Sequence, residues 1–82
     1  MKREIVVHGV YRHYKGDLYI VEDIATHTET GELMVIYRGL YGENKLWVRP
    51  LEMFLEELDD KKCSDFGQRC RFELQEIKSK RK

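Results

Sequence analysis

The segment around the single proline constrains the fold more than any other part of the chain. Trp47 and Pro50 are the only tryptophan and the only proline among the 82 residues. The stretch from Leu46 to Arg49 is apolar and aromatic, as strands usually are, whereas Pro50 lacks an N–H and cannot continue a central ladder. Since proline suits the first position of a helical turn, the sequence predicts a strand that stops at Arg49 and a short helical turn near residues 50–54.

The residues that follow this turn fit two structures. Leu51, Phe54, Leu55 and Leu58 have the spacing of one helical face, which indicates a longer helix. Residues 54–58 could equally form a short strand after one turn. Periodicity alone does not separate the two, so both stay open at this point.

The rest of the chain reads as short strands separated by tight turns that contain glycine. The predicted strands are residues 5–14, 18–27, 33–40, 46–49 and 70–77. Glu22 and Asp23 interrupt the second of them, and adjacent acids in a strand indicate a bend, a bulge or an edge. Gly9 marks either the true start of the first strand or a bulge. Residues 61–68 are polar and predict a loop.

This pattern predicts one small, mainly β domain. A chain of this length has a thin core, and we assign residues 1–77 to the domain and residues 78–82 to a basic tail. Five or six short antiparallel strands hide their edges best by closing on themselves. We therefore expect an SH3-like barrel with one short helical turn, or an open α+β roll if residues 50–58 form a real helix.

Charge and cysteine usage give few constraints on function. The formal net charge is zero, with a basic start (residues 1–16), an acidic middle (17–60) and a basic end (61–82) that can neutralise one another within the fold. No apolar run reaches the length of a membrane span and the N-terminus lacks a signal-peptide core. We expect a cytoplasmic protein with no membrane contact, in which Cys63 and Cys70 are reduced thiols and Cys70 is buried.

Catalytic and metal-binding motifs are not evident. The sequence contains no phosphate-binding loop, dinucleotide fingerprint or nucleophile elbow. His8, His13 and His27 lie on separate segments without the spacing of metal ligands, so we expect no metal and no cofactor. The protein is predicted not to be an enzyme. A small enzyme or ligand pocket that uses His13, Arg38 and Glu52 remains as a weaker alternative.

Aromatic residues and arginine supply the candidate binding site, because this composition is typical of binding hot spots. The candidates that we expect on one continuous surface are Tyr14, Tyr41, Trp47 and Arg49, with Arg38 and Glu52 at its edge. The alternative is structural: Trp47 would fill the core and Arg49 would pair with Glu52 or Glu29. An arginine that is fully buried needs such a partner, so we expect Glu52 within reach of Arg49.

These observations favour a module that recognises a peptide or a partner protein through the aromatic and arginine face. Binding of nucleic acid by the basic tail and the Arg and Tyr residues is the alternative, and a homodimer is a further option. Salt dependence separates the first two, since phosphate contacts release counterions whereas a peptide in an aromatic groove does not.

Several strings of the sequence resemble a small bacterial family that is known only as a domain of unknown function. The strings are GVYRHYKG (9–16), H-x-E-T-G-E (27–32), LYG (40–42), LWVRPLEMF (46–54) and Arg71-Phe72. The resemblance covers about residues 9–77 and implies an SH3-type barrel and a bacterial origin, but no activity. Residues 59–69 depart from it, because they are longer and more polar than the resemblance leads us to expect.

Overall fold

Five antiparallel strands and two short helices make up the fold in the computed structural model, which describes residues 4–76. The elements are β1 (Val10–His13), β2 (Leu18–Thr26), β3 (Leu33–Gly39), β4 (Leu46–Pro50), α1 (Leu51–Phe54), α2 (Asp60–Phe66) and β5 (Phe72–Leu74). The strands form one sheet in the order β4-β3-β2-β1-β5, and all neighbours are antiparallel. The predicted mainly β fold of five antiparallel strands with a helical turn after Pro50 is confirmed.

The sheet is curled so strongly that its two outermost strands meet. In a flat sheet β4 and β5 would lie roughly 19 Å apart, at ~4.8 Å for each strand interval. Instead the guanidinium carbon of Arg49 in β4 lies 5.6 Å from the ring centre of Phe72 in β5. No ladder joins these two strands within the described part of the chain. The arrangement is thus compatible with a barrel, although the sheet is not closed.

Aromatic rings fill the concave side of this sheet. The buried cluster consists of Tyr11, Val21, Val35, Tyr37, Phe54 and Phe72. Phe54 of α1 stacks on Phe72 with ring centres 4.2 Å apart and meets Tyr11 edge-on at 5.2 Å. Burying a phenylalanine side chain contributes ~1.5–3 kcal/mol, so the one turn of α1 is held by the ring that it brings to the core.

Pro50 continues β4 as its last residue, where the sequence predicted that the strand would stop at Arg49. The Gly39 N–H donates to the Lys45 carbonyl at 2.9 Å, and such bonds recur at every second residue of an antiparallel ladder. Trp47 and Arg49 therefore direct their backbone groups toward β3, and the nitrogen of Pro50 faces the open side of the sheet. A missing N–H costs nothing there, which is why an edge strand can hold a proline.

The second strand contains the irregularity that its acidic residues predicted. The register with β3 shifts between Val21 and Asp23, so Glu22 is the extra residue of a β-bulge. The first strand is shorter than predicted: it begins at Val10, directly after Gly9.

Helix α2 lies where the sequence predicted a loop over residues 61–68. The Asp59 side chain accepts a hydrogen bond from the Lys62 N–H at 2.8 Å, and Gly67 ends the helix in the left-handed conformation with φ 68°. These are an N-cap and a C-terminal glycine. No residue of α2 is buried, so the apolar periodicity that normally reveals a helix is missing.

The segment between the helices is neither of the two regular structures considered for residues 54–58. Glu57 forms an isolated antiparallel bridge with Cys70, and the Arg71 N–H donates to the Glu56 carbonyl at 2.9 Å. None of the helices in residues 4–76 is long and apolar enough to cross a bilayer. The predicted basic tail, residues 78–82, lies outside the described residues.

Candidate binding face

Strand alternation places two residues of the candidate site, Trp47 and Arg49, on the concave side of the sheet. Tyr37 of β3 is opposite Trp47 of β4, and Val35 is opposite Arg49, so Trp47 and Arg49 share the face that carries the core. We call this surface the aromatic face and define it as His13, Tyr14, Tyr19, Tyr37, Tyr41, Trp47 and Arg49. It continues the buried core outward at the open end of the sheet.

A chain of ring contacts joins Tyr14 to Tyr41 across the aromatic face. The Tyr14 and His13 rings stack at 4.5 Å, and His13 lies 6.4 Å from Tyr19. The Tyr19 and Tyr41 rings meet edge-on at 5.5 Å, and their hydroxyl oxygens are 2.8 Å apart. The structure therefore brings Tyr14 and Tyr41, which the sequence placed at the ends of different strands, onto one surface.

Gly39 makes room for the Tyr41 ring. Gly39 is opposite Tyr19 in the ladder between β2 and β3. A Cβ atom added to Gly39 would lie 3.0 Å from the Tyr41 Cε1 atom. Such a contact is tighter than van der Waals distance, so a side chain at this position would push the Tyr41 ring away. The glycine is thus part of what holds Tyr41 against Tyr19.

Arg49 has aromatic neighbours in place of the predicted carboxylate. Its Nε donates to the Tyr37 hydroxyl at 3.2 Å, and its guanidinium lies over the Phe72 ring at 5.6 Å. Within residues 4–76, none of the ion pairs includes Arg49. The expectation that Glu52 pairs with Arg49 is therefore wrong: the side chain is half-buried, and the ring and the hydroxyl take the place of an acid.

His13 is held in its neutral form by its surroundings. Burial, then the positive charges of Arg49, Arg71 and Lys15, lower the pKa of its imidazole below the usual value of 6.5, with Asp17 acting weakly in the opposite direction. Its Nδ1 accepts a hydrogen bond from the Lys15 N–H at 3.1 Å. In the neutral ring the proton is then assigned to Nε2, which makes that atom a donor.

Tyr19 is also kept protonated. Burial, followed by the hydrogen bond with Tyr41, raises the pKa of the Tyr19 phenol far above its ordinary value. Of the two paired hydroxyls one donates to the other, so the second hydroxyl hydrogen remains available to a ligand.

Cations surround the Tyr14 ring at one end of the aromatic face. The Lys62 ammonium lies 5.5 Å from its centre, the Lys15 ammonium 5.9 Å and the Arg71 guanidinium 5.9 Å. Arg71 is already paired with Glu56 at 2.7 Å. The two lysines are exposed, so this end of the face carries positive charge toward solvent.

Trp47 lies at the other end and is not the core plug that we considered as an alternative. It is 44% exposed, and the Lys45 ammonium lies 5.9 Å from its ring. Trp47, Tyr41, Glu43 and Lys45 line a shallow depression of about 230 Å³. An exposed indole beside a tyrosine offers apolar area with polar tips, as interface residues do.

Arg38 and Glu52, which were predicted at the edge of the surface, lie elsewhere. Arg38 is opposite Leu46 on the outer side of the sheet, because it follows Tyr37 in the strand; its Nε donates to Glu22 at 3.0 Å. Glu52 is on α1, beyond the other end of β4, and lines a depression with Glu32, Leu33 and Leu51. Arg38 is absent from the aromatic face because alternation along β3 turns it to the outer side. Glu52 is absent because it follows the end of β4 that is remote from Tyr41.

The same placement separates the residues of the weaker alternative, a pocket built from His13, Arg38 and Glu52. One is on the aromatic face, one is on the outer side of the sheet and one is on α1. Within residues 4–76, no group of three or more His, Cys, Asp or Glu side chains is arranged to hold a metal ion.

Sequence reasoning missed His13, Tyr19 and Tyr37 as members of the binding surface. Alternation carries the signal for His13, because it follows Tyr11 by two residues and so shares its face. Tyr19 and Tyr37 could not be separated from the core by pattern, since both rings pack inward: the Tyr19 hydroxyl meets Tyr41 at the surface, whereas Tyr37 is buried and contributes the hydroxyl that accepts from Arg49. Whether such a tyrosine is enclosed or reaches the surface depends on how strongly the sheet is curled.

The comparisons with known proteins agree with this fold. The family model described as "Protein of unknown function (DUF1653)" matches residues 9–74. A crystal structure of a protein of that family from Bordetella bronchiseptica is similar with a TM-score of 0.66 and 36% sequence identity, over 82% of this chain and 83% of that one. No curated protein matches significantly. The chain therefore belongs to the DUF1653 family of proteins of unknown function.

Proposed function

We propose that the protein is a non-enzymatic binding module that holds an acidic segment of a partner protein on its aromatic face. The observation that carries the proposal is the situation of Arg49, which is half-buried against Phe72 and has no carboxylate partner in residues 4–76. A partly desolvated guanidinium gains from an acid that arrives with a ligand. The bacterial and cytoplasmic setting expected from the sequence stays part of the proposal.

The Arg49, His13 and tyrosine side chains of the aromatic face support an anionic ligand because each of them can donate a hydrogen bond. The Nη groups of Arg49 have no acceptor among the described residues, since only its Nε is engaged, by Tyr37. The neutral His13 ring offers Nε2–H, and the Tyr19–Tyr41 pair offers one hydroxyl hydrogen. A carboxylate accepts several such bonds at once.

The apolar part of the ligand would lie against Trp47 and Tyr41. The depression between these rings is about 230 Å³ in volume, which suits one side chain rather than a large cofactor. Exposed aromatic residues next to an arginine are the usual anchors of protein interfaces. We therefore expect the recognised segment to combine an acidic residue with a neighbouring apolar one.

A displayed library of random peptides tests the proposal. The wild-type protein should enrich peptides that contain Asp or Glu beside an apolar residue, and Arg49→Gln should lose that enrichment. Arg12→Gln is the matched control, because Arg12 is exposed on β1 and opposite Leu18, away from the aromatic face. Enrichment that is the same for both variants, or none for the wild type, would contradict the proposal.

Nucleic acid is a second candidate ligand, favoured by the three cations around the Tyr14 ring. Bases stack on such aromatic side chains while lysines contact phosphate. The measurement is the affinity for a fluorescent single-stranded oligonucleotide at several salt concentrations. Affinity that falls steeply with salt, by the slope expected for phosphate contacts, would favour this candidate over the peptide. Undetectable binding at low salt would remove it.

A further inference from the structure

The outer edge of β4 is a feature of the described structure that the proposed function does not use. β4 is the last strand of the sheet, and Leu46 and Val48 are 52% and 60% exposed. Because Lys45, Trp47 and Arg49 turn their backbone groups toward β3, the N–H and C=O groups of Leu46 and Val48 point away from the sheet. Among the described residues no other strand pairs with them.

This edge has a proline at its end and the inward-pointing Arg49, but none of the other devices that usually block strand pairing. Natural edges are protected by short length, bulges, lysines or prolines. In β4 Pro50 removes a single outward N–H at the end of the strand, and the outer side chains of the strand are Leu46 and Val48, which lie opposite Arg38 and Ile36 of β3. A strand of matching sequence could therefore add to the sheet.

We infer that a second copy of this chain pairs with β4, strand to strand and antiparallel, with Val48 on the two-fold axis. Val48 would then exchange both backbone hydrogen bonds with Val48 of the second copy, and each Leu46 N–H would donate to the Pro50 carbonyl of the other. Pro50 lacks an N–H, and in this register it contributes only its carbonyl oxygen, which as the N-cap carbonyl also accepts the first helical bond of α1 and uses its second lone pair for the partner strand. The pairing joins two five-stranded sheets into one of ten strands.

Side-chain complementarity selects this register. With Val48 on the axis, Val48 meets Val48 and Leu46 meets Pro50 on the outer side. On the inner side Trp47 meets the arginine at position 49 of the second copy, which is a favourable cation–π pair. A register centred on Trp47 would instead set Lys45 opposite that arginine, and like charges directly opposite each other are destabilising.

The dimer also makes the two aromatic faces continuous, because Trp47 and Arg49 lie on the inner side of the joined strands. The register uses two residues of the aromatic face, Trp47 and Arg49, but the pairing needs no ligand, and Val48, which the tests below change, lies on the outer side. The two can therefore fail separately.

Sedimentation velocity of the full chain across a wide concentration range tests the inference. We expect a monomer–dimer equilibrium, with Val48→Lys raising the dissociation constant about tenfold or more because two ammonium groups would meet at the axis. Met53→Lys is the matched control, since Met53 is 53% exposed but lies on α1. A monomer at all concentrations, or a dimer that Val48→Lys does not weaken, would overturn the inference.

Cross-linking gives a second measurement that does not depend on weakening the dimer. In a Cys63→Ser background, Val48→Cys should form a disulfide-linked dimer under mild oxidation, since paired Cα atoms ~5.5 Å apart lie within the range that a disulfide spans. Leu33→Cys, at an exposed position of β3, should not. Equal cross-linking of both variants, or none at position 48, would contradict the register.

Discussion

Two arginines on adjacent strands occupy opposite sides of the sheet and have opposite surroundings. Arg38, on the outer side, is paired with Glu22 at 3.0 Å. Arg49, on the inner side, has the Tyr37 hydroxyl and the Phe72 ring as neighbours and no acid within residues 4–76. An arginine that is neutralised within the fold can be explained by the fold alone. One that is partly buried without a counter-charge among the described residues is the basis of the proposed acidic ligand.

The largest effect is expected from removing the ring beneath Arg49. Phe72 stacks on Phe54 at 4.2 Å and is almost fully buried. Phe72→Ala should lower the free energy of unfolding by about 3–5 kcal/mol, measured by chemical denaturation. Met53→Ala, at an exposed position of α1, should change it by no more than about 0.5 kcal/mol. Similar losses from both would mean that the core is not where the structure places it.

Trp47→Ala separates binding from stability on the inner side. Since the indole is 44% exposed, its loss should lower the free energy of unfolding by only about 1 kcal/mol, well below a core truncation. The same change should weaken binding of a peptide selected by the wild type by about 1–4 kcal/mol. Calorimetric titration and thermal melting of one preparation measure both. A strong loss of stability with unchanged affinity would return Trp47 to a structural role.

The outer ion pair should contribute little to either property. Glu22 and Arg38 are each more than one third exposed, and pairs of this kind contribute about 0–1 kcal/mol. Glu22→Gln should therefore shift the free energy of unfolding within that range and leave peptide affinity unchanged. A large loss of peptide affinity would contradict this prediction and would show that the Glu22–Arg38 pair on the outer side affects the geometry of the aromatic face.

The sequence predicted the sheet better than the site because strand alternation is a local property. The positions of the strands, the bulge at Glu22 and the helical turn after Pro50 follow from residue type and spacing. Helix α2 was missed because its signals are the caps Asp59 and Gly67 rather than an apolar stripe. Caps are short patterns that also occur in loops.

The site depends on how far the sheet curls, which no local pattern records. Trp47 and Arg49 were assigned correctly to one face, since two residues separate them. Arg38 was predicted at the edge of that surface, although it follows the inward-facing Tyr37 and alternation therefore turns it to the outer side of the sheet. The Arg49–Phe72 contact joins strands at opposite ends of the sheet, so only the three-dimensional structure could replace the expected Glu52 partner with a ring.

The smallest expected effect on the inner side of the sheet is a change in the stability of the protein with pH. Burial and neighbouring cations lower the pKa of His13 in the folded protein, so the unfolded chain binds that proton more readily. The free energy of unfolding should then decrease as the pH falls below the ordinary histidine value and level off below the folded pKa. Thermal melting from about pH 8 to about pH 5 measures this.

Variants assign the pH effect to His13. His13→Gln should reduce the decrease in the melting temperature on acidification. The control is His8→Asn, because His8 is exposed and has φ 72°, a conformation that asparagine tolerates. If His13→Gln and His8→Asn follow the wild-type profile equally, the imidazole of His13 is not held neutral by the inner face.

The most direct test compares the two arginines with one pair of peptides. The peptides are the most enriched acidic sequence from the display experiment and the same sequence with its acid replaced by the corresponding amide. Calorimetric titration should show that the wild type and Arg38→Gln prefer the acidic peptide by about 1.5–3 kcal/mol, the value of a hydrogen bond to a charged group, and that Arg49→Gln has lost the preference. If Arg49→Gln keeps the preference, or Arg38→Gln loses it equally, Arg49 is not the anchor of an acidic ligand.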